Sequence, residues 1–252
     1  MRVLKGAALV LFSLAATTGA EDLTIVSNVT SQGGPDSGPS TSTSYLTATK
    51  FRVTTKRSDV IMDMAAGKYT VIDNQKRQYW EMTQDDINAM TQRMNDSMRQ
   101  ATQQNPQAAK MMEGMLGGMM GQVTVTKGTA TKKVAGYDCT DYLVSMGMMK
   151  QHFWITTELN PPVSMGQWAS AQRAMFAGSP LASSMGKLME EFGKIQGFPL
   201  ANNSTTTILN KTIESTSEAV EVKKGPIPPS AFAVPEGYAK VASPLAAARP
   251  SH

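Results

Sequence analysis

Methionine offers the most distinctive chemistry in this chain of 252 residues, which contains 19 of them. Its thioether side chain is flexible and polarisable, so a row of methionines can line a groove for irregular apolar ligands such as acyl chains. Methionines spaced three and four residues apart are more often the ordinary core of a helix that packs on a sheet. The candidates for an apolar groove are Met90, Met94, Met98, Met115, Met119, Met185 and Met189.

Thioether sulfur also favours Cu(I), which makes a metal site a third interpretation of the methionines. Exported copper sites usually combine Met with His or Cys, and this chain has only two His and one Cys. A structural zinc site normally takes four nitrogen or sulfur ligands, one more than these residues supply. We therefore expect no metal site and no cofactor, and the weak copper candidates are Met111, Met112, Met115, Met119 and His152.

Cys139 and His152 are the pair to consider as a catalytic nucleophile and its base, because they lie on neighbouring predicted strands. A catalytic dyad also needs an orienting partner and an oxyanion site. The chain has no Gly-rich phosphate loop, no G-x-S-x-G and no H-E-x-x-H motif. A single Cys excludes an intrachain disulfide, and burial as a small hydrophobe is its more common role. We therefore expect that the protein is not an enzyme.

Segments rich in Val, Ile, Thr and aromatic residues predict a largely antiparallel sheet in two runs. The first run begins with a strand over 22–30, and the Gly, Pro, Ser and Thr content of Ser31 to Thr43 then predicts a loop that joins two paired strands. Alternation around Tyr69 predicts one buried face and one solvated face. The other predicted strands are 45–54, 59–64, 68–73 and 77–82 in the first run, and 122–134, 137–146, 150–157 and parts of 197–222 in the second.

Helices are predicted between and after the two runs of strands. Thr83 has the features of an N-cap, with two aspartates in the first turn where acids complement the helix dipole. Asn105–Pro106 opens a second segment, so a Met-rich helical insert covers about residues 84–120. Short helices are predicted at about 165–177 and from Ser179–Pro180. This order predicts an α+β fold with helices on one side of a largely antiparallel sheet.

The first twenty residues have the features of a cleavable secretory signal peptide. Two basic residues precede an apolar run of eleven residues, a length typical of a signal and too short to span a bilayer as a helix. Small residues before Glu21 favour cleavage after Ala20. The sequence therefore predicts an exported bacterial protein of the periplasm or the extracellular space without a transmembrane segment. We expect a single exported domain over 21–241 and a flexible tail over 242–252.

The charge of the remaining chain is nearly balanced. Lys and Arg total 24, and without the two in the signal peptide 22 basic residues face 20 acidic ones. Basic runs are no longer than pairs such as Lys132–Lys133 and Lys223–Lys224, without interleaved aromatic residues. A nucleic-acid footprint needs a larger basic surface than this. We therefore expect no nucleic acid partner.

Several short segments share the order and spacing of a known family, and they are 60–82, Val134–Tyr142, Phe153–Ile155, Gly197–Leu200 and Ile227–Tyr238. These segments resemble bacterial exported proteins grouped as the domain-of-unknown-function family DUF 4412. Their order and spacing agree with those of the family, and together the segments extend from about Asp59 to Val241. The resemblance implies a fold similar to that of periplasmic lipoprotein carriers, in which helices cover the concave side of a curved, incompletely closed antiparallel sheet and leave an apolar cavity. The activity of the family is unassigned, so no site residue is carried over.

These features favour a non-enzymatic binding protein that holds an apolar or lipid-like ligand between a curved sheet and Met-bearing helices. The alternative is a structural or interaction protein of the envelope, whose methionines are core and whose partner is another protein. A Met-based Cu(I)-binding protein is the third hypothesis. A continuous apolar cavity of several hundred Å³, the usual scale of a ligand pocket, would favour the first hypothesis.

Overall fold

A sheet of 12 strands dominates the part of the chain that the computed structural model describes, which is residues 20–33, 37–104, 123–164, 166–167, 170, 182–208 and 211–243. The strands are β1 (Leu23–Gln32), β2 (Gly38–Leu46), β3 (Lys50–Thr54), β4 (Ser58–Asp63), β5 (Lys68–Asp73), β6 (Gln78–Thr83), β7 (Val123–Val134), β8 (Tyr137–Met146), β9 (Met149–Thr156), β10 (Phe198–Ile208), β11 (Lys211–Lys224) and β12 (Ala239–Lys240). The helical elements among these residues include α1 (Gln84–Gln104), α2 (Ala182–Gly193) and a 3-10 helix (Pro229–Phe232).

The strand order across the sheet is β12-β6-β5-β4-β3-β2-β1-β11-β10-β9-β8-β7. Neighbouring strands run antiparallel except β12, which pairs in parallel with β6. Among the described residues β12 and β7 end the sheet, so it is open, and its curvature makes it consistent with an incomplete barrel. The prediction of a largely antiparallel, open sheet is confirmed. The covering of one face by helices stays a prediction.

The hairpin of β1 and β2 corrects one prediction. Composition predicts a loop over Ser31 to Thr43, but β2 already begins at Gly38 and pairs with β1 along its whole length. Ser and Thr side chains at these positions are exposed or half-exposed, so the strand needs no apolar pattern. Threonine is β-branched and suits a pleated strand even when its side chain is solvated.

Local hydrogen bonds and positive φ angles make the tight connections between strands. Thr47 Oγ1 accepts a hydrogen bond from the Lys50 N–H at 2.9 Å, and this turn divides the predicted strand 45–54 into β2 and β3. Ala135 and Gly136 have φ angles of 49° and 88°. Two successive left-handed residues are typical of a two-residue hairpin turn, so the turn predicted between β7 and β8 is confirmed.

Helix α1 begins where the sequence predicts it. The Thr83 hydroxyl accepts a hydrogen bond from the Asp86 N–H at 3.2 Å, and the Asp86 carboxylate accepts one from the Thr83 N–H at 2.8 Å. This reciprocal cap satisfies two donors at the start of the helix. α1 therefore follows β6 without a linker and contacts that strand.

Two clusters of buried side chains form the core. The first lies among β1, β2, β7, β8, β10 and β11, and its buried members include Leu23, Ile25, Leu46, Val134, Cys139, Leu200 and Ala219. The second joins α2 to β7, β8 and β9, and its buried members are Val144, Met146, Ile155, Leu188, Met189, Phe192 and Ile195. α2 is therefore attached to one end of the sheet.

The segment 229–238, called here the C-terminal strap, packs on one face of β3 and reaches the turn that follows β5. Arg52 and Asp59, which are 8% and 4% exposed, form an ion pair on this face. Arg52 also donates hydrogen bonds to the carbonyl oxygens of Ala231, at 2.7 Å, and Ala233, at 3.0 Å. The strap is therefore fixed to β3 by a buried charged group.

Asn74 extends this network to the end of the strap. Its amide donates a hydrogen bond to Asp59 Oδ1 at 2.9 Å, and the Tyr238 hydroxyl donates one to Asn74 Oδ1 at 3.2 Å. Hydrogen bonds to a charged group contribute about 1.5–3 kcal/mol each. The strap is consequently held at one end by β3 and at the other by the turn between β5 and β6.

Candidate apolar binding site

A groove of about 460 Å³ lies between α2 and the sheet. Its volume falls within the roughly 300–1,000 Å³ of typical small-molecule sites. β2, β3 and β4 line it together with β9 and β10, although β1 and β11 separate these two groups in the sheet, so the curvature of the sheet brings them together. The lining residues are Leu46, Thr47, Lys50, Phe51, Met62, Met64, Met149, Gln151, Phe153, Val163, Ser164, Leu188, Met189, Phe192, Phe198, Pro199 and Asn202.

Helix α2 supplies the wall of the groove that faces the sheet. Leu188, Met189 and Phe192 are 4%, 6% and 6% exposed, and the same three residues line the groove. The ring of Phe192 meets the ring of Phe153 edge-on, with centroids 5.6 Å apart and planes at 84°. Edge-to-face packing of this kind stabilises aromatic pairs beyond the burial of their area. The wall is therefore held in place by its contact with β9.

Polar groups in the groove are few, and none of its lining residues is acidic. Lys50 Nζ lies 3.3 Å from Asp63 Oδ2. A hydrogen bond from the Ala66 N–H, helped by Lys50, holds the pKa of Asp63 below its usual value, so this pair is charged at neutral pH. Asn202 Oδ1 is buried without a hydrogen-bond partner in the described part of the chain. The groove can therefore accommodate apolar groups along most of its length.

Strands β3 to β6 extend this apolar surface beyond the groove. Their registers place four apolar side chains opposite one another in a row across the strands, and a second row of four lies two residues along. None of the eight is buried, and Val60 is 38% exposed. Partial burial in this surface raises the pKa of Tyr69. We call this surface the open face, and it consists of Phe51, Met62, Tyr69, Met82, Val53, Val60, Val71 and Trp80.

The opposite face of the same strands is the buried one, although it carries charged residues. An antiparallel sheet with one solvated face normally covers its apolar side. Here the strap covers the other side, and the open face stays partly in solvent. A contiguous exposed apolar patch on a folded protein indicates a site of interaction or ligand binding. The buried residues of the covered face are Arg52, Asp59, Ile61, Thr70 and Ile72.

A second cavity, of about 360 Å³, lies at the end of β6 and is called here the edge cavity. Met82 belongs both to this cavity and to the open face. Lys68 Nζ lies 2.8 Å from Glu81 Oε1, and Lys240 contacts the other oxygen of that carboxylate. Lys240 and then Lys68 lower the pKa of Glu81, which therefore stays ionised. The other lining residues are Thr83, Asp86, Ile87, Arg93, Val241, Ala242 and Ser243.

The methionines that line the groove differ from most of those selected by helical spacing. Met189 lines it, whereas Met90 is half-buried on α1 and is not among its lining residues. The side chains of Met94, Met98, Met115, Met119 and Met185 lie outside the described residues. Sequence reasoning overlooked the other methionines of the groove, which lie on β4, in the turn after it and on β9, although alternation in the predicted strand 59–64 was a signal for the first two. These are Met62, Met64 and Met149.

The candidate nucleophile and base lie on neighbouring strands but apart. Leu143 is the residue opposite His152, and it is four positions from Cys139 along β8, a distance of about 13 Å at the usual rise per strand residue. His152 Nε2 instead lies 3.2 Å from Asp141 Oδ2. Cys139 is 1% exposed, and burial raises the pKa of its thiol. The two side chains therefore do not form a dyad.

The copper hypothesis concerns residues that are mostly outside the described ranges. Of its candidates only His152 is described, and it contacts Asp141. In the described ranges no cluster of three or more His, Cys, Asp or Glu residues could hold a metal ion. The hypothesis stays a prediction for Met111, Met112, Met115 and Met119.

Comparison with known sequences identifies one family. The model of a domain of unknown function, DUF4412, matches residues 38–238. No curated protein matches the sequence significantly. In the part of the chain that is described, no helix has the length and apolarity needed to cross a membrane.

Solved structures with a similar arrangement have low sequence identity. A PNGF-II structure is 12% identical with a TM-score of 0.39, and the match covers 89% of this chain and 32% of that one, so the chain spans about a third of its length. A putative outer membrane lipoprotein-sorting protein domain from Vibrio parahaemolyticus is 7% identical, with coverages of 85% and 90% and a TM-score of 0.31. A LolA superfamily protein from Nitrosomonas europaea is 8% identical, with coverages of 84% and 90% and a TM-score of 0.29.

Proposed function

The chain belongs to the DUF4412 family, and we propose that it is a non-enzymatic exported protein that binds an apolar or lipid-like ligand. The observation that carries the proposal is the open face, an apolar surface that stays partly in solvent and continues into the groove. The periplasm or the extracellular space is its proposed location, which rests on the predicted signal peptide with cleavage after Ala20. Residues 21–241 are proposed to form one domain.

The energetics of the open face favour a ligand. Full burial of a large apolar side chain contributes roughly 1.5–3 kcal/mol, and each half-exposed side chain retains part of that amount. Association costs an estimated 4–15 kcal/mol in lost translational and rotational freedom. Covering several of the eight side chains together can therefore offset this cost, whereas covering one cannot.

The chemistry of the described side chains supports a role without catalysis. A nucleophilic Cys needs a lowered thiol pKa, and burial raises that of Cys139. The base that would activate it, His152, faces the carboxylate of Asp141 instead. A binding function requires neither group, and the groove contains neither of them.

A pair of matched variants tests the proposal. Met62 lies in the groove and on the open face, whereas Met148 is 40% exposed in the turn between β8 and β9. We expect Met62→Asp to weaken saturable binding of an apolar fluorophore at least tenfold, because bound ligand would desolvate the new carboxylate. Met148→Asp should leave that affinity unchanged. If Met62→Asp lowers stability, Val60→Asp changes an already exposed residue of the same face and gives an independent measurement.

Native mass spectrometry of gently purified protein provides a second test. We expect a co-purified lipid-like molecule in the wild-type protein and less of it in Met62→Asp. No co-purified molecule together with no saturable fluorophore site would exclude the ligand-binding function. Capture of an envelope protein that depends on Met62 and Val60 would instead favour the alternative, an interaction protein whose partner covers the open face.

A further inference from the structure

The open face connects the groove to the edge cavity. Phe51 is opposite Met62, which is opposite Tyr69, and Tyr69 is opposite Met82. Phe51 and Met62 line the groove, and Met82 lines the edge cavity. A single row of apolar side chains therefore crosses four strands, from one cavity to the other.

The length of this row matches an acyl chain. Neighbouring strands lie about 4.8 Å apart, so the three steps from Phe51 on β3 to Met82 on β6 cover about 14 Å. The hydrocarbon core of a bilayer is roughly 30 Å thick, and each of its two leaflets is therefore about 15 Å deep. An extended acyl chain of membrane length would cover the row from end to end.

The two ends of the row differ in polarity. At the groove end the one charged lining residue is Lys50, and it is paired with Asp63. At the other end the edge cavity is lined by three cationic side chains, from Lys68, Arg93 and Lys240, and by two carboxylates. This end therefore has one more positive charge than negative charges among its lining residues.

The edge position explains how apolar and charged groups meet in one cavity. On β6 the side chains alternate, so Glu81 and Met82 point to opposite faces of the sheet. β12 pairs with Gln78 and Tyr79, and Met82 lines the edge cavity together with Lys68, Glu81 and Lys240. A chain that follows the open face to Met82 therefore reaches the lysines that contact Glu81.

We propose that the ligand is a single long acyl chain ending in an anionic headgroup, with its hydrocarbon along the open face and its headgroup at Lys68 and Lys240. This inference rests on the proposed function and defines the ligand class. The groove holds the apolar end of the chain, where no acidic side chain lines the wall. The headgroup competes with the Glu81 carboxylate for two lysines that are 43% and 58% exposed, so no buried ion pair has to be broken.

Three probes with the same hydrocarbon test this inference on the full chain. Hexadecanoate, hexadecyl phosphate and neutral hexadecanol are compared by displacement of an apolar fluorophore. We expect each anion to bind at least about tenfold more tightly than the alcohol, because one hydrogen bond to a charged group contributes a free energy of that size. The ratio between hexadecanoate and hexadecyl phosphate then identifies the headgroup class. Octanoate should bind more weakly than hexadecanoate, because it covers only part of the row.

The variant Lys68→Gln/Lys240→Gln should remove the preference for anions without changing hexadecanol binding. Lys76→Gln is the matched control, since Lys76 is also an exposed lysine paired with a neighbouring carboxylate. Equal affinities for hexadecanoate and hexadecanol, or an anion preference that survives the double variant, would overturn the inference and leave the ligand-binding function intact. Failure of all three probes and of the fluorophore would overturn both.

Discussion

Replacing Arg52 by Met tests the contact that holds the C-terminal strap over one face of the sheet. The guanidinium pairs with Asp59 and donates hydrogen bonds to Ala231 and Ala233, and both charged residues are buried. The variant leaves the Asp59 carboxylate buried with only the Asn74 amide as its described partner. Removal of one member of a buried ion pair costs about 3–5 kcal/mol. We expect Arg52→Met to lower the free energy of unfolding by that amount.

Urea titration followed by circular dichroism measures this change as a lower midpoint at constant slope. Lys50→Met is the matched control, because the side chains of its ion pair with Asp63 are 43% and 21% exposed, and ion pairs in contact with solvent contribute less than about 1 kcal/mol. The double variant Arg52→Met/Asp59→Leu should recover part of the loss, since apolar residues often replace a buried ion pair without net cost. A loss below about 1 kcal/mol in Arg52→Met, or a double variant less stable than the single one, would refute the reasoning.

Two further predictions concern glycines of β7 and α2 and the buried thiol of β8. A Cβ at Gly128 would collide with the Asp141 carboxylate, which accepts a hydrogen bond from the Ala130 N–H. Gly128→Ala should therefore displace this carboxylate and lower the free energy of unfolding by about 1 kcal/mol. Gly186→Ala, where the Cβ meets nothing, should instead stabilise α2 by up to about 1 kcal/mol, and thermal melts compare the two. The Cys139 thiol, buried and with a raised pKa, should react with a thiol reagent rapidly only after unfolding in urea. A fast stoichiometric reaction of the folded protein would contradict its burial.

The sequence predicted those strands whose signals are local. Tyr137 to Met146 is bounded by a Gly turn and has strand residues throughout, and the structure places β8 over the same range. Gly38 to Thr43 has no apolar alternation, so composition predicted a loop where β2 forms. Its strand conformation comes from pairing with β1 over nine residues, a long-range contact that a window of sequence does not contain.

The candidate site was predictable only in part, for a similar reason. Alternation around Tyr69 identifies two faces of the strands, but it does not say which face another segment will cover. Which face is covered depends on the hydrogen bonds that Arg52 donates to Ala231 and Ala233, and these residues lie 179 and 181 positions away from it in the sequence. The apolar face of a sheet normally packs on the core, whereas here the face that carries Arg52 and Asp59 is the buried one. The helical spacing of Met90 likewise favoured α1, whereas β4 with the turn after it, β9 and α2 supply the methionines of the groove.

The strap and the open face depend on each other through strand register. Successive side chains of a strand point to opposite faces, so a slip by one residue would exchange Phe51 and Arg52. Such a slip would place the guanidinium in the groove and an aromatic ring against the strap carbonyl groups. The hydrogen bonds from Arg52 to Ala231 and Ala233 are formed only in the native register. The buried charges of the covered face therefore specify which side chains the open face presents to a ligand, and Arg52→Met should weaken binding as well as stability.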